Sequence, residues 1–264
     1  MLFRPFIVYI KGARFINNMK RDTAVNQNYS FSPVAYIRND FTEKFGIPRQ
    51  SGMLKGFESR VEFEKPFASF DAIREIEGFS HLWLLWVFSE NTGNPRTGTP
   101  ALTVRPPRLG GNTRVGVFAS RSPFRPNPIG LSCVKLERVE TSPAGVPVLI
   151  VSGADLMNGT PILDIKPYVP YSDSITDAKG GFSRDEDAHL LKVEWDNTAD
   201  PAGMDEEKRK NILQLLSLDP RPAYHEPGRE YGVSFGGYNI RFTVQGETLY
   251  VVSVQGNEDV TKKY

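Results

Sequence analysis

A chain of 264 residues with 39% hydrophobic and 24% charged residues can bury one large core or two modest ones, and its composition is that of an ordinary globular protein rather than a disordered or fibrous one. Its formal net charge is only +1, so any anion-binding site has to be a local feature. The single Cys133 excludes an intramolecular disulfide, and His81, His189 and His225, far apart and without Cys partners, build no zinc spacing.

Residues 1–28 carry five cations against Asp22 and one short apolar stretch from Phe6 to Ile10. A signal peptide needs a longer core and a small-residue cleavage site, so none is expected. Two readings fit this leader: initiation at Met19, or a flexible arm. The longest apolar run, HLWLLWVF, is well short of the roughly 20 residues of a membrane span, and a soluble cytoplasmic protein is expected.

From Ser30 to Ser172 short apolar runs alternate with Gly and Pro clusters, the pattern of strands and turns. SPVAYIR, VEFEK, FSHLWLLWVF, RVGVFAS, LSCVKLERVE, PVLIVSGADL and ILDIKPYV read as strands, which suggests a barrel or a sandwich. AIREIEGF, from Ala72 to Phe79, is the one short helical candidate there. FSHLWLLWVF is apolar on both alternating faces, so it should be a central strand or lie at a subunit interface, with Trp83 and Trp86 on opposite sides. Asp177 to Phe182 reads as a loop and a domain boundary, followed by the strand HLLKVEW. Met204 to Leu218 reads as a helix with acid in its first turn, stopped by Asp219-Pro220. YNIRFTVQGETLYVVSV reads as a hairpin turning at Gln245-Gly246-Glu247. The expected organisation is a leader at 1–28, a β domain at 29–180 and a small α+β domain at 186–264.

Between Glu90 and Glu137 there is no acidic residue, yet Arg96, Arg105, Arg108, Arg114, Arg121, Arg125 and Lys135 all fall there. Six of these seven cations are Arg, whose planar fork matches phosphate or carboxylate, and rigid Gly and Pro surround them in RPPRLGGNTRVGVFASRSPFRPNPIGLS. Gly110-Gly111 fits either close approach to a ligand or a tight turn. No dinucleotide-binding glycine motif, phosphate-loop lysine or nucleophile elbow is present, which removes the usual nucleotide folds and serine hydrolases. What remains is a series of rigid polar segments: EKFGIPRQ, RPPRLGGN, ASRSPFRPNPIGLS, DLMNGTPILDIKPY and DPRPAY.

In this order, FSHLWLLWVF, RPPRLGGNTRVGVFASRSPFRPNPIGLS and GTPILDIKPYVPYSD resemble the TrmO family of S-adenosylmethionine-dependent tRNA methyltransferases, from about Phe31 to about Phe242. The resemblance implies a mainly β fold: a single-sheeted antiparallel β-barrel that binds S-adenosylmethionine, with a small α+β C-terminal domain, in a homodimer. It implies N6-methylation of threonylcarbamoyl-adenosine beside the anticodon. It places the methyl donor at Arg49, Gln50, Ser51, Phe88, Ser89, Arg121, Leu131, Asp155, Leu156 and Asn158. Two departures lie there: Asn158 stands in DLMNGTP where the family commonly has Asp, and Ser89-Glu90 stand where it often has His-Gln.

The residues fit that reading. An anticodon loop is a polyanion with unstacked bases, which an acid-free Arg-rich segment would suit, and threonylcarbamoyl-adenosine adds a carboxylate. Arg105, Arg108, Arg125, Arg221 and Tyr224 are the candidate contacts to tRNA or to that carboxylate. The acylated N6 nitrogen is a weak nucleophile until its proton leaves, so a base is expected. Asp164 is the first candidate, with Lys166 or Tyr168 polarising the carbamoyl oxygen; the alternative for Asp164 is a structural pair with Lys166 or a nearby Arg. No metal is expected. Two other functions compete, a non-catalytic RNA-binding barrel and an S-adenosylmethionine enzyme acting on a small anionic molecule.

Overall fold

Alternating burial along short β-branched runs generates most of the secondary structure. The computed structural model describes residues 29–90, 102–106, 109–183, 190–196, 201, 204–221 and 228–256, together with a two-residue strand near the start. In chain order the strands are β1 (Val8–Tyr9), β2 (Ser30–Phe31), β3 (Ala35–Arg38), β4 (Glu58–Phe63), β5 (His81–Val87), β6 (Thr103–Val104), β7 (Val115–Gly116), β8 (Ile129–Thr141), β9 (Pro147–Ser152) and β10 (Pro161–Pro167). After a one-turn helix α1 (Pro170–Asp173) come β11 (Lys192–Glu194), helix α2 (Glu206–Ser217), β12 (Tyr231–Phe235), β13 (Tyr238–Gln245) and β14 (Thr248–Gly256). No helix among the described residues is long and apolar enough to cross a membrane.

Six strands close into a barrel in the order β10-β3-β4-β9-β8-β5, every pair antiparallel. Ile37, Val61, Leu82, Leu84, Trp86, Val134, Leu149, Val151 and Ile162 fill its interior, each from an alternate strand position. Trp86 therefore points in, while Trp83 lies on the other face and donates to Asp173 Oδ2 at 2.9 Å. β9 is buried on both faces because ion pairs cross over its outer side. Arg138 on β8 grips Glu58 on β4 at 2.5 and 2.8 Å, and Arg60 reaches Glu140 at 3.3 Å, roofing Val148 and Ile150 with their side-chain stems.

The fold is mainly β, as expected, but it is not single-sheeted. A four-stranded sheet of order β11-β14-β13-β12 and the pairs β1-β2 and β6-β7 stand beside the barrel, and β11 runs parallel to β14. Val8–Tyr9, within the stretch expected as an arm or an overextension, pair with β2. AIREIEGF forms no α-helix but 3-10 turns at Phe70–Ile73 and Ile76–Gly78, broken where Glu75 adopts φ 67°. RVGVFAS keeps only Val115–Gly116 as strand and then coils into the 3-10 turn Val117–Ala119.

α2 is capped by Asp205, whose carboxylate accepts from the Lys208 N–H at 2.6 Å, and it buries Ile212, Leu215 and Leu216. Those residues pack on the tail sheet with Val233, Phe235, Ile240, Phe242 and Leu249. The same core takes in Phe41, Leu54 and Phe57, which belong to the connection between β3 and β4. Phe235 meets Phe41 and Phe57 at centroid distances of 5.2 and 5.3 Å, and the Ser234 N–H donates to Glu43 Oε1 at 2.6 Å. One barrel connection is thus anchored in the tail core.

Candidate functional site

That connection forms one wall of a cleft of about 670 Å³ at one rim of the barrel. Four loops converge there because the end of β5, the start of β8 and the end of β9 are antiparallel neighbours on the same rim. Ile47, Pro48, Arg49 and Gln50 come from the β3–β4 connection, Trp86 to Glu90 from the end of β5, Ser120 to Leu131 in part from the segment entering β8, and Asp155, Met157 and Thr160 from the segment leaving β9.

Close backbone contact brings two of these loops together. The Gly52 N–H donates to the Gly153 carbonyl at 2.8 Å, and a Cβ on Gly153, whose φ is 80°, would sit 3.2 Å from the Gly52 Cα. A side chain at Gly153 would therefore press on the Gly52 backbone, whereas a Cβ on Gly52 would meet open space and only its φ of 78° favours glycine there. Arg121 Nη1 then donates to Gln50 Oε1 at 2.6 Å, and the Cys133 N–H donates to Ser51 Oγ at 3.2 Å. Lys44 Nζ holds the Glu90 carbonyl at 2.5 Å, closing the end of β5 against the same connection.

The cations of the acid-free stretch divide by partner. Arg114 donates to Thr103 Oγ1 at 3.1 Å, Arg121 to an amide oxygen and Arg125 to the Ser120 carbonyl at 3.0 Å, so all three are oriented by neutral oxygens. Lys135 instead pairs with Glu137 at 2.7 Å. Arg38, Arg60 and Arg138, elsewhere on the barrel, are all bound to carboxylates. Of the three oriented by neutral oxygens, Arg121 and Arg125 line the cleft. Phe124, 60% exposed, lines it, and Phe118, 78% exposed, lies nearby in the chain.

At the barrel side of the cleft, Trp86 Nε1 donates to Ser132 Oγ at 2.9 Å and Ser132 donates to Asp155 Oδ1 at 2.5 Å. Burial pushes the Asp155 carboxyl up from the ordinary aspartate range; the Ser132 hydroxyl, the backbone N–H groups of Asp155 and Ser51 and the charge of Arg121 oppose that push.

Of the ten residues expected at the methyl donor, Arg49, Gln50, Phe88, Ser89, Arg121, Leu131 and Asp155 line this cleft. Ser51 adjoins it through its bond to β8, while Leu156 is fully buried in the barrel core and Asn158 is turned to Asn39, whose N–H its side chain accepts at 3.2 Å. Arg125 lines the cleft. Arg105 is exposed just beyond β6 and is not part of the cleft wall, and Arg221 grips Asp219 in the tail through two contacts of 2.7 Å. Arg108 and Tyr224 lie outside the described residues.

Asp164, Lys166 and Tyr168 are not brought to the cleft. A bulge in β10 between Ile162 and Asp164 resets the alternation, so Ile165 turns toward the barrel core and Asp164 and Lys166 turn outward. There Asp164 pairs with Lys166 at 2.8 Å and accepts the Ile165 N–H at 2.9 Å, while Tyr168 packs against His81 and Trp83. Ser132 was missed, although its parity with Val134 and Leu136 marks it as a hydroxyl on an inward face. Gly110 and Gly111, with φ of 68° and 67°, form a turn, and a Cβ at Gly110 would meet open space.

The family model for the tRNA-methyltransferase O N-terminal domain matches residues 36–174, a range that contains every wall of the cleft, and that for the TrmO C-terminal domain matches residues 188–257. The chain belongs to the tRNA-methyltransferase O family. Within it, the tRNA (adenine(37)-N6)-methyltransferase of Escherichia coli (strain K12) is 40% identical over 236 residues, covering 86% of this chain and 98% of that protein. A putative S-adenosylmethionine-dependent methyltransferase of Pseudomonas aeruginosa is 41% identical over 239 residues, 87% of this chain and 99% of that one. The crystal structure of TrmO from Pseudomonas aeruginosa superposes with a TM-score of 0.69 at 35% identity, over 87% of this chain and 100% of that one.

Proposed function

We propose that this chain is an S-adenosylmethionine-dependent tRNA adenine-N6 methyltransferase whose substrate is threonylcarbamoyl-adenosine beside the anticodon, and that it acts as a homodimer. The observation that carries the reading is the cleft itself: aromatic and aliphatic walls flanked by Arg49, Arg121 and Arg125. Its volume of about 670 Å³ lies in the range of small-ligand sites.

The residues fit the methyl donor. Phe88, Ile129 and Leu131 offer apolar surface to a purine, and the guanidinium groups of Arg49 and Arg121 suit the carboxylate of its amino-acid end. When bound, S-adenosylmethionine supplies an electrophilic methyl group on a sulfonium. The chain's own part is to align the acceptor nitrogen, exclude water and accept a proton. Arg125, on the cleft wall, would take a phosphate or the threonyl carboxylate, and the exposed ring of Phe124 would suit stacking by a neighbouring base. Arg105, exposed beyond β6, is a further candidate contact to the anticodon loop. The barrel at 29–180 and the tail at 186–264 act together, since the tail core holds the connection that carries Arg49 and Gln50.

The test is transfer of labelled methyl from S-adenosylmethionine to two tRNA pools, one carrying threonylcarbamoyl-adenosine and one transcribed without it. Label in the modified pool alone is expected. Equal label in both pools would remove the modification from the recognition, and label in neither, with donor binding intact, would remove tRNA as the methyl acceptor and leave a small anionic substrate.

A further inference from the structure

Ser132 is a fully buried hydroxyl in the barrel, and both of its bonds have a fixed direction. An indole N–H can only donate, so the Ser132 oxygen accepts from Trp86 and its own proton goes to Asp155. Trp86 sits opposite Gly130 in the β5–β8 register, and a Cβ on Gly130 would fall 2.3 Å from Trp86 Cε2. The ring reaches Ser132 only because that position is glycine. The result is a chain of three side chains leading from the apolar core to a carboxylate at the cleft wall.

A carboxylate has about four acceptor positions. On Asp155 the Ser132 hydroxyl engages Oδ1, and the carboxylate lines the cleft with acceptor capacity left for a ligand there. Among the described residues that form the cleft, the other acid is Glu90, at the exposed rim. Besides Glu90, the charged groups that share the cleft with Asp155 are the cations Lys44, Arg49, Arg121 and Arg125.

We propose that Asp155 is the catalytic base that removes the N6 proton of the adenine, and that Ser132 and Trp86 are positioning residues that hold its carboxylate. The proposal rests on the reading that adenine N6 is the acceptor. As the N6 lone pair forms the new bond to the methyl carbon and the carbon–sulfur pair returns to sulfur, the N6 proton passes to the Asp155 carboxylate. Asp155 then releases that proton to water, leaving the N6-methylated nucleoside and a neutral thioether. Burial strengthens Asp155 as a base, while the Ser132 bond favours its ionised form.

The experiment compares wild type with Asp155→Asn, Ser132→Ala, Ser132→Thr and Trp86→Phe. Single-turnover methylation of threonylcarbamoylated tRNA is followed across pH, donor affinity is measured by calorimetry, and thermal melting checks folding. With Asp155→Asn, methylation is expected to fall about 100-fold or more, well beyond any accompanying loss of donor affinity. Ser132→Ala is expected to slow methylation about tenfold and to move the acid limb of the rate profile to higher pH, because the carboxylate has lost a donor. Ser132→Thr should restore both readouts, and Trp86→Phe should move the limb in the same direction as Ser132→Ala by less. Loss of donor affinity in proportion to rate in Asp155→Asn would overturn the proposal and make Asp155 a donor ligand, as would an unmoved limb in Ser132→Ala. A wild type that binds the donor yet methylates no tRNA would overturn the functional reading as well.

Discussion

Removing the Phe235 ring tests whether the tail core shapes the cleft. Phe235 is 1% exposed and touches both Phe41 and Phe57, and Lys208 Nζ lies 5.8 Å from its ring centroid. Phe235→Ala should cost about 3–5 kcal/mol, of which each aromatic pair contributes about 0.5–1.5 kcal/mol. That is a large share of the roughly 5–15 kcal/mol of a typical domain. Phe41 and Phe57 lie at either end of the connection that carries Arg49, Gln50 and Ser51, so the loss should reach the cleft wall as well as the sheet. Urea unfolding should show a lower midpoint, and calorimetry should show donor affinity weakened about tenfold, roughly 1.4 kcal/mol. Phe242→Ala is the control: its ring is fully buried in the same core but stacks on Tyr231 within the tail, so stability should fall while donor affinity holds. Equal donor affinities in wild type and Phe235→Ala, despite the lost stability, would refute the reasoning and leave the Gly52–Gly153 contact as sufficient support.

Arg125→Gln should weaken binding to both tRNA pools alike and make the salt dependence shallower by about one if it meets a phosphate; a loss confined to the modified pool would assign it to the threonyl carboxylate, and anisotropy across a salt series separates the two. Asp164→Asn should leave the methylation rate at the wild-type value, because its half-exposed pair with Lys166 stands outside the cleft. Asp155→Asn should raise the melting temperature at neutral pH. The sign follows from burial: an acid whose pKa is higher folded than unfolded opposes folding wherever it is ionised, so the gain should shrink as pH falls into the ordinary carboxyl range. A melting temperature that is lower at neutral pH would mean that the bond to Ser132 outweighs the burial penalty.

The strand-rich pattern, the α2 helix with its Asp205 cap and the hairpin at Gly246 were legible from the chain, because each depends on neighbours a few residues apart. So was the concentration of Arg in an acid-free segment, and the order of motifs was enough to point to the family. β12 escaped, being a short run flanked by glycines, and RVGVFAS was read as strand although the ring closure of the barrel leaves no edge for it to join. Alternation put Trp86 opposite in face to Trp83, but only closure of the barrel decided that Trp86 points inward to Ser132. Asp164 shows the converse: a single bulge, invisible in the residue types, turned it out to solvent and left Asp155, on the segment leaving β9, as the carboxylate held at the barrel side of the cleft. Local propensity and periodicity are properties of adjacent residues, whereas register, bulges and the meeting of Gly52 with Gly153 arise only when distant segments close on one another, and those contacts decided which charged groups share the cleft.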